Sequence, residues 1–397
     1  MTTPSLPSSS AAPRSSGQIP SLHDLLRARQ PRVRVTPALI AVNVLVFLAM
    51  LGSGAGLWHS PNGVQLSWGA NFGPATQDGE WWRLASAMFL HFGLLHLLLN
   101  MWALWDSGQL VERMFGPLRF ATIYLLSGVG GNLVSLVSHH GQVVSGGASG
   151  AIFGIYGALL VCLWRERASL HPQEFRWLFW GAAGFASITI VLGLIVTGID
   201  NAAHVGGFIA GALAGLVLAQ ALRADEVPAT APRYTAAALG VFGVALLLSQ
   251  IPPPAYRWSE EAQARKEISE FIKDDAAIAA DWQRIFADSR RPDASFDEVA
   301  GRIDASIAQR YEENFEQLSR LSSNPALPSA ATLATLRRYA QLRRDASRSL
   351  ADGLRSKDPR KIDAAWALEQ QARALQASPP AMPGQSRGPT SGLSGRE

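Results

Sequence analysis

From residue 37 to residue 250 the sequence contains no lysine, and within that stretch one long apolar run follows another. A run of about 20 apolar residues, rising about 1.5 Å per residue, crosses the roughly 30 Å of hydrocarbon in a bilayer. Inside lipid only helices and closed barrels satisfy their own backbone. Seven such segments can be marked, at about 37–57, 93–113, 119–137, 147–163, 177–197, 201–222 and 234–250. The fourth is short for a crossing and is expected to be buried among its neighbours. A loop at about 58–90, with Trp58, Trp68, Trp81 and Trp82, separates the first two. The expected fold is all-α: a polytopic membrane helical bundle of about seven transmembrane helices, with a soluble helical domain at the C-terminal end.

Composition supports the division. Only 17% of the residues are charged, against about a quarter in soluble domains, and the charge is concentrated in the segment 255–377. That segment is read as soluble helices, with capping-box spacing at Ser295–Glu298 and an Asp358-Pro359 helix start. It holds no recognisable catalytic constellation. The remaining divisions are a cytoplasmic tail at 1–35 without fixed structure, a six-span core at 36–222, a linker and seventh span at 223–254, and an unstructured Pro/Gly/Ser-rich end at 378–397. The net charge of +4 forms no basic stripe, so nucleic acid is not an expected partner. The single cysteine, Cys162, allows no disulfide within the chain.

Arginine placement sets an expected orientation. Arg14, Arg27, Arg29, Arg32 and Arg34 precede the first span. Arg113 and Arg119, then Arg165, Arg167 and Arg176, then Arg223 and Arg233 follow the second, fourth and sixth. Loops 138–146 and 198–200 carry none, and the first loop carries none before Arg83. The positive-inside rule then puts the N-terminus in the cytoplasm and, after seven spans, the C-terminal domain outside it, in the periplasm if the cell is Gram-negative.

Polar residues within spans are costly and are functional suspects. Ser149 sits where the glycine-rich turn Val144–Gly154 meets an apolar run. Taken alone, the stretch reads more simply as a cap with glycines for close packing. Topology reverses that. The second, fourth and sixth spans run from outside to inside, and His96, Ser149 and His204 each fall within about a turn of the outer end. Asn100 lies about 40° from His96 on one helical face. A serine hydroxyl needs a base, and imidazole titrates in the useful range. His204 is the better candidate because its span carries Gly207, Gly211 and Gly215, a spacing matched by Gly146, Gly150 and Gly154 in the fourth, and such spacing lets helices approach closely. His96, Asn100 and the Ser149 amide are candidate oxyanion donors. Asp200 is read as a cap or a solvated residue, which leaves a dyad, not a triad. His139 and His140 are read as solvated. No metal motif is present: His91 and His96 are about 140° apart on a helix. Asp106 and Asp200 differ in depth, against a paired-aspartate site. Glu112 and Arg113 are read as a network at the cytoplasmic end of the second span.

These residues resemble the rhomboid intramembrane serine proteases over about 80–222. The resemblance rests on Trp82-Arg83, on His91 before His96-x-x-x-Asn100, on Gly147-Ala-Ser149-Gly150, and on Ala203-His204-x-x-Gly207-x-x-x-Gly211, in that order. The chain also resembles the form of this family with a seventh span added after a six-span core. The resemblance implies a Ser149/His204 dyad, an oxyanion site of His96, Asn100 and the Ser149 amide, and an acyl-enzyme. Substrates would be transmembrane helices cut near the extracytoplasmic face, with no cofactor or metal. Phe153 stands where some members carry tyrosine and is expected to pack on His204; Gly147, Gly150, His91, Arg83, Glu112 and Gly207 support the site. The alternative is a catalytically inactive relative that binds transmembrane helices. A transporter is a more distant reading, because the polar residues cluster at one depth. As a further hypothesis, the C-terminal domain recruits or excludes substrates or binds a protein partner.

Overall fold

The computed structural model describes residues 21–140, 143–220 and 230–377. Most of the expected N-terminal tail, most of the linker before the seventh span, and the C-terminal end lie outside the described residues. The chain divides into two compact units, Met1–Phe72 with Trp81–Pro252 and Gly73–Glu80 with Pro253–Glu397.

The first unit begins inside the segment expected to have no structure. Ser21 caps a short helix, α1 (Leu22–Arg29), by accepting from the Asp24 amide. Leu22 and Leu26 fall on one face and are buried in the same core as Met114, Phe115 and Leu163. Tertiary burial orders a helix too short to hold by itself. The first apolar helix is α2 (Val35–Gly52). The loop after it is not featureless: it contains α3 (Asn62–Ser67), α4 (Gly73–Gln77), α5 (Arg83–Ser86) and a 3-10 turn at Ala87–Phe89. Then follow α6 (Leu94–Phe115), α7 (Pro117–Ser138), α8 (Ser149–Arg165), α9 (Pro172–Ile195), α10 (Asn201–Leu218) and α11 (Ala231–Ser249). By length and composition α2, α7, α9, α10 and α11 can each cross a membrane, and the α5–α6 pair can do so as one span bent by 93°. Trp177 and Trp180 on α9, and Val241 and Phe242 on α11, stand exposed as an apolar face for lipid.

The 17 residues of α8 reach only about 26 Å, and most are buried. The packing partner is α10. A Cβ on Gly207 would stand 2.0 Å from the Gly150 carbonyl oxygen, and one on Gly211 would stand 2.1 Å from that of Gly154. The two backbones therefore touch where the glycine spacing predicted. Gly146 is not part of that seam. It precedes α8 and faces the Ala87 carbonyl.

At the far end of α6, Glu112 is fully buried. Its carboxylate accepts from the amides of Arg34, Val35 and Thr36 at 2.7, 2.9 and 2.8 Å, and from the Thr36 hydroxyl at 2.8 Å. Arg34 offers no cap of its own, so α6 supplies the acceptor that the start of α2 lacks. Beside it, Arg113 donates to the Gln30 carbonyl at 2.6 Å.

The second unit is built from α12 (Trp258–Asp288), α13 (Phe296–Ile303), a π turn at Asp304–Ala308 leading into α14 (Gln309–Arg320), α15 (Ala330–Ser356) and α16 (Pro359–Ala377). Ile268, Phe271, Ile278, Ile303, Tyr311, Leu333 and Leu342 form its core. Ser295 caps α13 through the Glu298 amide at 3.1 Å. This unit is not contiguous in sequence, as the expected boundary at 255 implied. It includes the eight residues 73–80 from the loop between α2 and α6. Gly73, Pro74, Ala75 and Thr76 are buried, and Asp78 accepts from the Ser259 amide at 2.8 Å. Arg257 gives α12 no side-chain cap, so Asp78 supplies it.

Candidate active site

Ser149 is the first residue of α8, and His204 lies in the first turn of α10. His204 Nε2 is 2.9 Å from Ser149 Oγ. Backbone contact at Gly150 and Gly207 makes that reach possible. The Phe153 ring stacks on the His204 imidazole, with centroids 4.3 Å apart and planes 7° from parallel. His204 Nδ1 has no hydrogen-bond partner among the described residues, so none of their carboxylates orients this imidazole.

The turn before Ser149 is shaped by Gly147, whose φ of +133° suits glycine. A Cβ there would stand 2.8 Å from His96 Cε1 and 2.9 Å from Nε2, so the His96 ring lies directly against the turn. The Phe92 amide donates to His96 Nδ1 at 3.4 Å, which leaves the proton of a neutral ring on Nε2, the edge facing Gly147. Asn100 Nδ2 donates one hydrogen to the His96 carbonyl at 2.8 Å and retains a second. The structure thus gathers Ser149, His204, Phe153, Gly147, Gly150, Gly207 and His96 into one cluster, with Asn100 one turn below His96.

The other expected residues stand further back. His91 is fully buried, and its ring is 5.1 Å from that of His96. Arg83 donates from Nη1 to the carbonyls of Leu66 and Ala70 at 2.7 and 3.1 Å, pinning the loop after α2. Glu112 is 16 residues along α6 from His96, about 24 Å away, and serves the start of α2.

A rhomboid domain model matches residues 78–221, and every member of the cluster falls within it. These residues form a rhomboid domain. It is 30% identical to "Rhomboid protease GluP" of Bacillus subtilis (strain 168) over 293 residues, covering 69% of this chain and 54% of that protein. It is 39% identical over 150 residues to "RHOMBOID-like protein 5" of Arabidopsis thaliana, covering 36% of this chain and 45% of that one. With "Rhomboid protease AarA" of Providencia stuartii it shares 29% identity over 201 residues, covering 46% and 71%. The chain thus spans about half the length of the first two relatives.

The rhomboid domain also has a cluster that reading the sequence missed. Asp200, one turn before His204, accepts at Oδ2 from the hydroxyls of Ser135 and Ser145 at 2.5 and 2.6 Å. At Oδ1 it accepts from the Ala203 amide at 2.9 Å and faces His139 Nε2 at 3.2 Å. Burial favours the neutral acid, but the hydrogen bonds from Ser135, Ser145, the Ala203 amide and His139 outweigh it and hold the carboxyl below its ordinary range. His139, expected to be solvated, is therefore a partner of Asp200. The only sequence signal was the position of Asp200 four residues before a candidate base.

Proposed function

We propose that this chain is an intramembrane serine endopeptidase that cuts transmembrane-helix substrates near the extracytoplasmic face. The 2.9 Å approach of His204 Nε2 to Ser149 Oγ carries the proposal. Ser149 Oγ attacks the scissile carbonyl carbon while its proton passes to His204 Nε2. The carbonyl oxygen becomes an oxyanion. The Ser149 amide, at the unpaired start of α8, His96 Nε2–H and the free hydrogen of Asn100 Nδ2 are its donors. The tetrahedral intermediate collapses as His204 returns the proton to the leaving amine, giving an acyl-enzyme. Water, deprotonated by the same nitrogen, then releases the acid. A base working through Nε2 carries its own proton on Nδ1; with no partner there among the described residues, the stack on Phe153 holds the ring. A stable substrate helix hides its carbonyls in hydrogen bonds, so the segment must unwind before attack.

The arginine distribution supports a cytoplasmic N-terminus and a site at the opposite face.

The test is labelling by a serine-reactive fluorophosphonate in detergent, with cleavage of a model transmembrane substrate in parallel. Wild type should label and cleave, and Ser149→Ala and His204→Ala should do neither. Cleavage that survives Ser149→Ala overturns the proposal.

A further inference from the structure

We infer that Asp200 is a positioning residue for the reaction: through Ser145 and Ser135 it holds the turn before Ser149 in register with His204. The inference rests on the serine-protease reading above.

The geometry contains a repeat. Ser145 is four residues before Ser149, and Asp200 is four residues before His204. The bond from Ser145 Oγ to Asp200 Oδ2 (2.6 Å) and the approach of Ser149 Oγ to His204 Nε2 (2.9 Å) therefore join the same two segments at two successive points. The first of these ties the start of α10 to the turn itself, ahead of the seam at Gly150 and Gly207. The Ser135 hydroxyl adds a third point on α7. Ser145 is in turn paired through its backbone with Asn71, amide to carbonyl in both directions at 2.9 Å. One carboxylate thus gathers α7, the turn before α8, the start of α10 and, through Ser145, the loop after α2.

A helix cap explains only part of this. Capping α10 needs the Ala203 amide, one bond of the four. The two serine hydroxyls and His139 come from other segments, and their bonds fill the remaining acceptor sites of the carboxylate. The turn they hold carries Gly147, which lies against His96, and leads directly to the Ser149 amide. Catalytic groups must keep their geometry to within about 0.5 Å, and misplacement by about 1 Å costs on the order of 100-fold in rate. Losing the Asp200 carboxylate frees the side-chain tie of Ser145 without changing the side chains of Ser149, His204, His96 or Asn100.

The experiment uses the full chain in detergent. The rate of fluorophosphonate labelling and the kcat and KM for a model transmembrane substrate are measured for wild type, Ser145→Ala, Asp200→Ala, Asp200→Asn and the double variant Ser145→Ala/Asp200→Ala, with Tm recorded for each. Ser145→Ala leaves the α10 cap intact, so a cap-only role predicts no change. We expect kcat to fall about 10-fold in Ser145→Ala and about 100-fold in Asp200→Ala, with KM within about twofold. Asp200→Asn should recover most of the loss, because its amide can donate to serine hydroxyls that turn to accept. The double variant should be no slower than Asp200→Ala, because both changes break one connection. Wild-type kcat in Ser145→Ala, multiplicative losses in the double variant, or a fall fully explained by a smaller folded fraction would overturn the inference. If wild type itself does not label, the protease reading has failed instead, a result distinct from any of these.

Discussion

Two carboxylates, the buried Glu112 at the end of α6 remote from Ser149 and the half-buried Asp200 at the start of α10, each accept from several donors. Glu112 takes three backbone amides and a hydroxyl from the start of one helix, α2. Asp200 takes two serine hydroxyls, a histidine and one amide from three segments. Backbone amides at a helix start have no other acceptor and cannot rotate away, so the Glu112 cluster is an anchor. Hydroxyls rotate and side chains choose among rotamers, so the Asp200 cluster trades strength for control of relative position. The end remote from Ser149 is built for stability, and the end carrying Ser149 is built for register.

The largest effect should come from a change that breaks the seam joining the two ends. In Gly207→Ala the new Cβ would stand 2.0 Å from the Gly150 carbonyl oxygen, backbone that cannot move aside. Labelling should become undetectable and Tm should fall. Normal labelling would mean that α8 and α10 do not touch in the membrane.

Glu112→Ala should separate stability from activity. It leaves buried donors without an acceptor, at roughly 1–3 kcal/mol each, and Tm in detergent should fall on the order of 10 °C. Labelling per folded molecule should stay within about twofold. A 100-fold fall per folded molecule would erase the proposed distinction between the two ends.

Phe153 refines the description of the site end. Stacked rings contribute about 0.5–1.5 kcal/mol beyond their buried area, so Phe153→Ala should slow labelling per folded molecule up to about 10-fold. Phe153→Tyr should remain within about threefold. An Ala variant as fast as wild type would remove Phe153 from the positioning of His204.

The smallest effect concerns acid. The Asp200 carboxyl lies below its ordinary value of 3.8. It therefore contributes stability that is present above that value and lost as pH falls through the lower, folded one. Wild type should lose stability on acidification below about pH 4 more steeply than Asp200→Asn, with little difference between the two slopes near neutral pH. Parallel acid limbs would remove the ionised carboxylate from the account.

Much of this was legible because membranes impose simple rules. Apolar length marked the helices, arginines gave them an expected direction, and direction alone brought Ser149 and His204 to one depth. The glycine spacing of α10 foretold its backbone contact with α8. What escaped depends on partners distant in sequence. Asp200 reads as a cap because Ser135, His139 and Ser145 acquire meaning only when α7 and the turn meet it. The glycine period ran one step too far, to Gly146, because spacing cannot tell where a helix begins. Helix α1 has only eight residues, too few for a periodic signal, and its order comes from burial of Leu22 and Leu26. Nothing in Gly73–Glu80 announces that it folds with residues beyond 253.

That last feature gives the molecule an order of assembly. Asp78 leaves the ribosome 181 residues ahead of the amide it caps, and α5 to α11 must be made in between. Until α12 emerges, Asp78 has no Ser259 amide to accept from, and when it emerges its first turn has no side-chain cap except the one that has been waiting. The second unit is finished only by a segment synthesised before most of the first. A nascent chain stopped after α11 would carry both Ser149 and His204, yet still hold an open loop between its first two apolar helices.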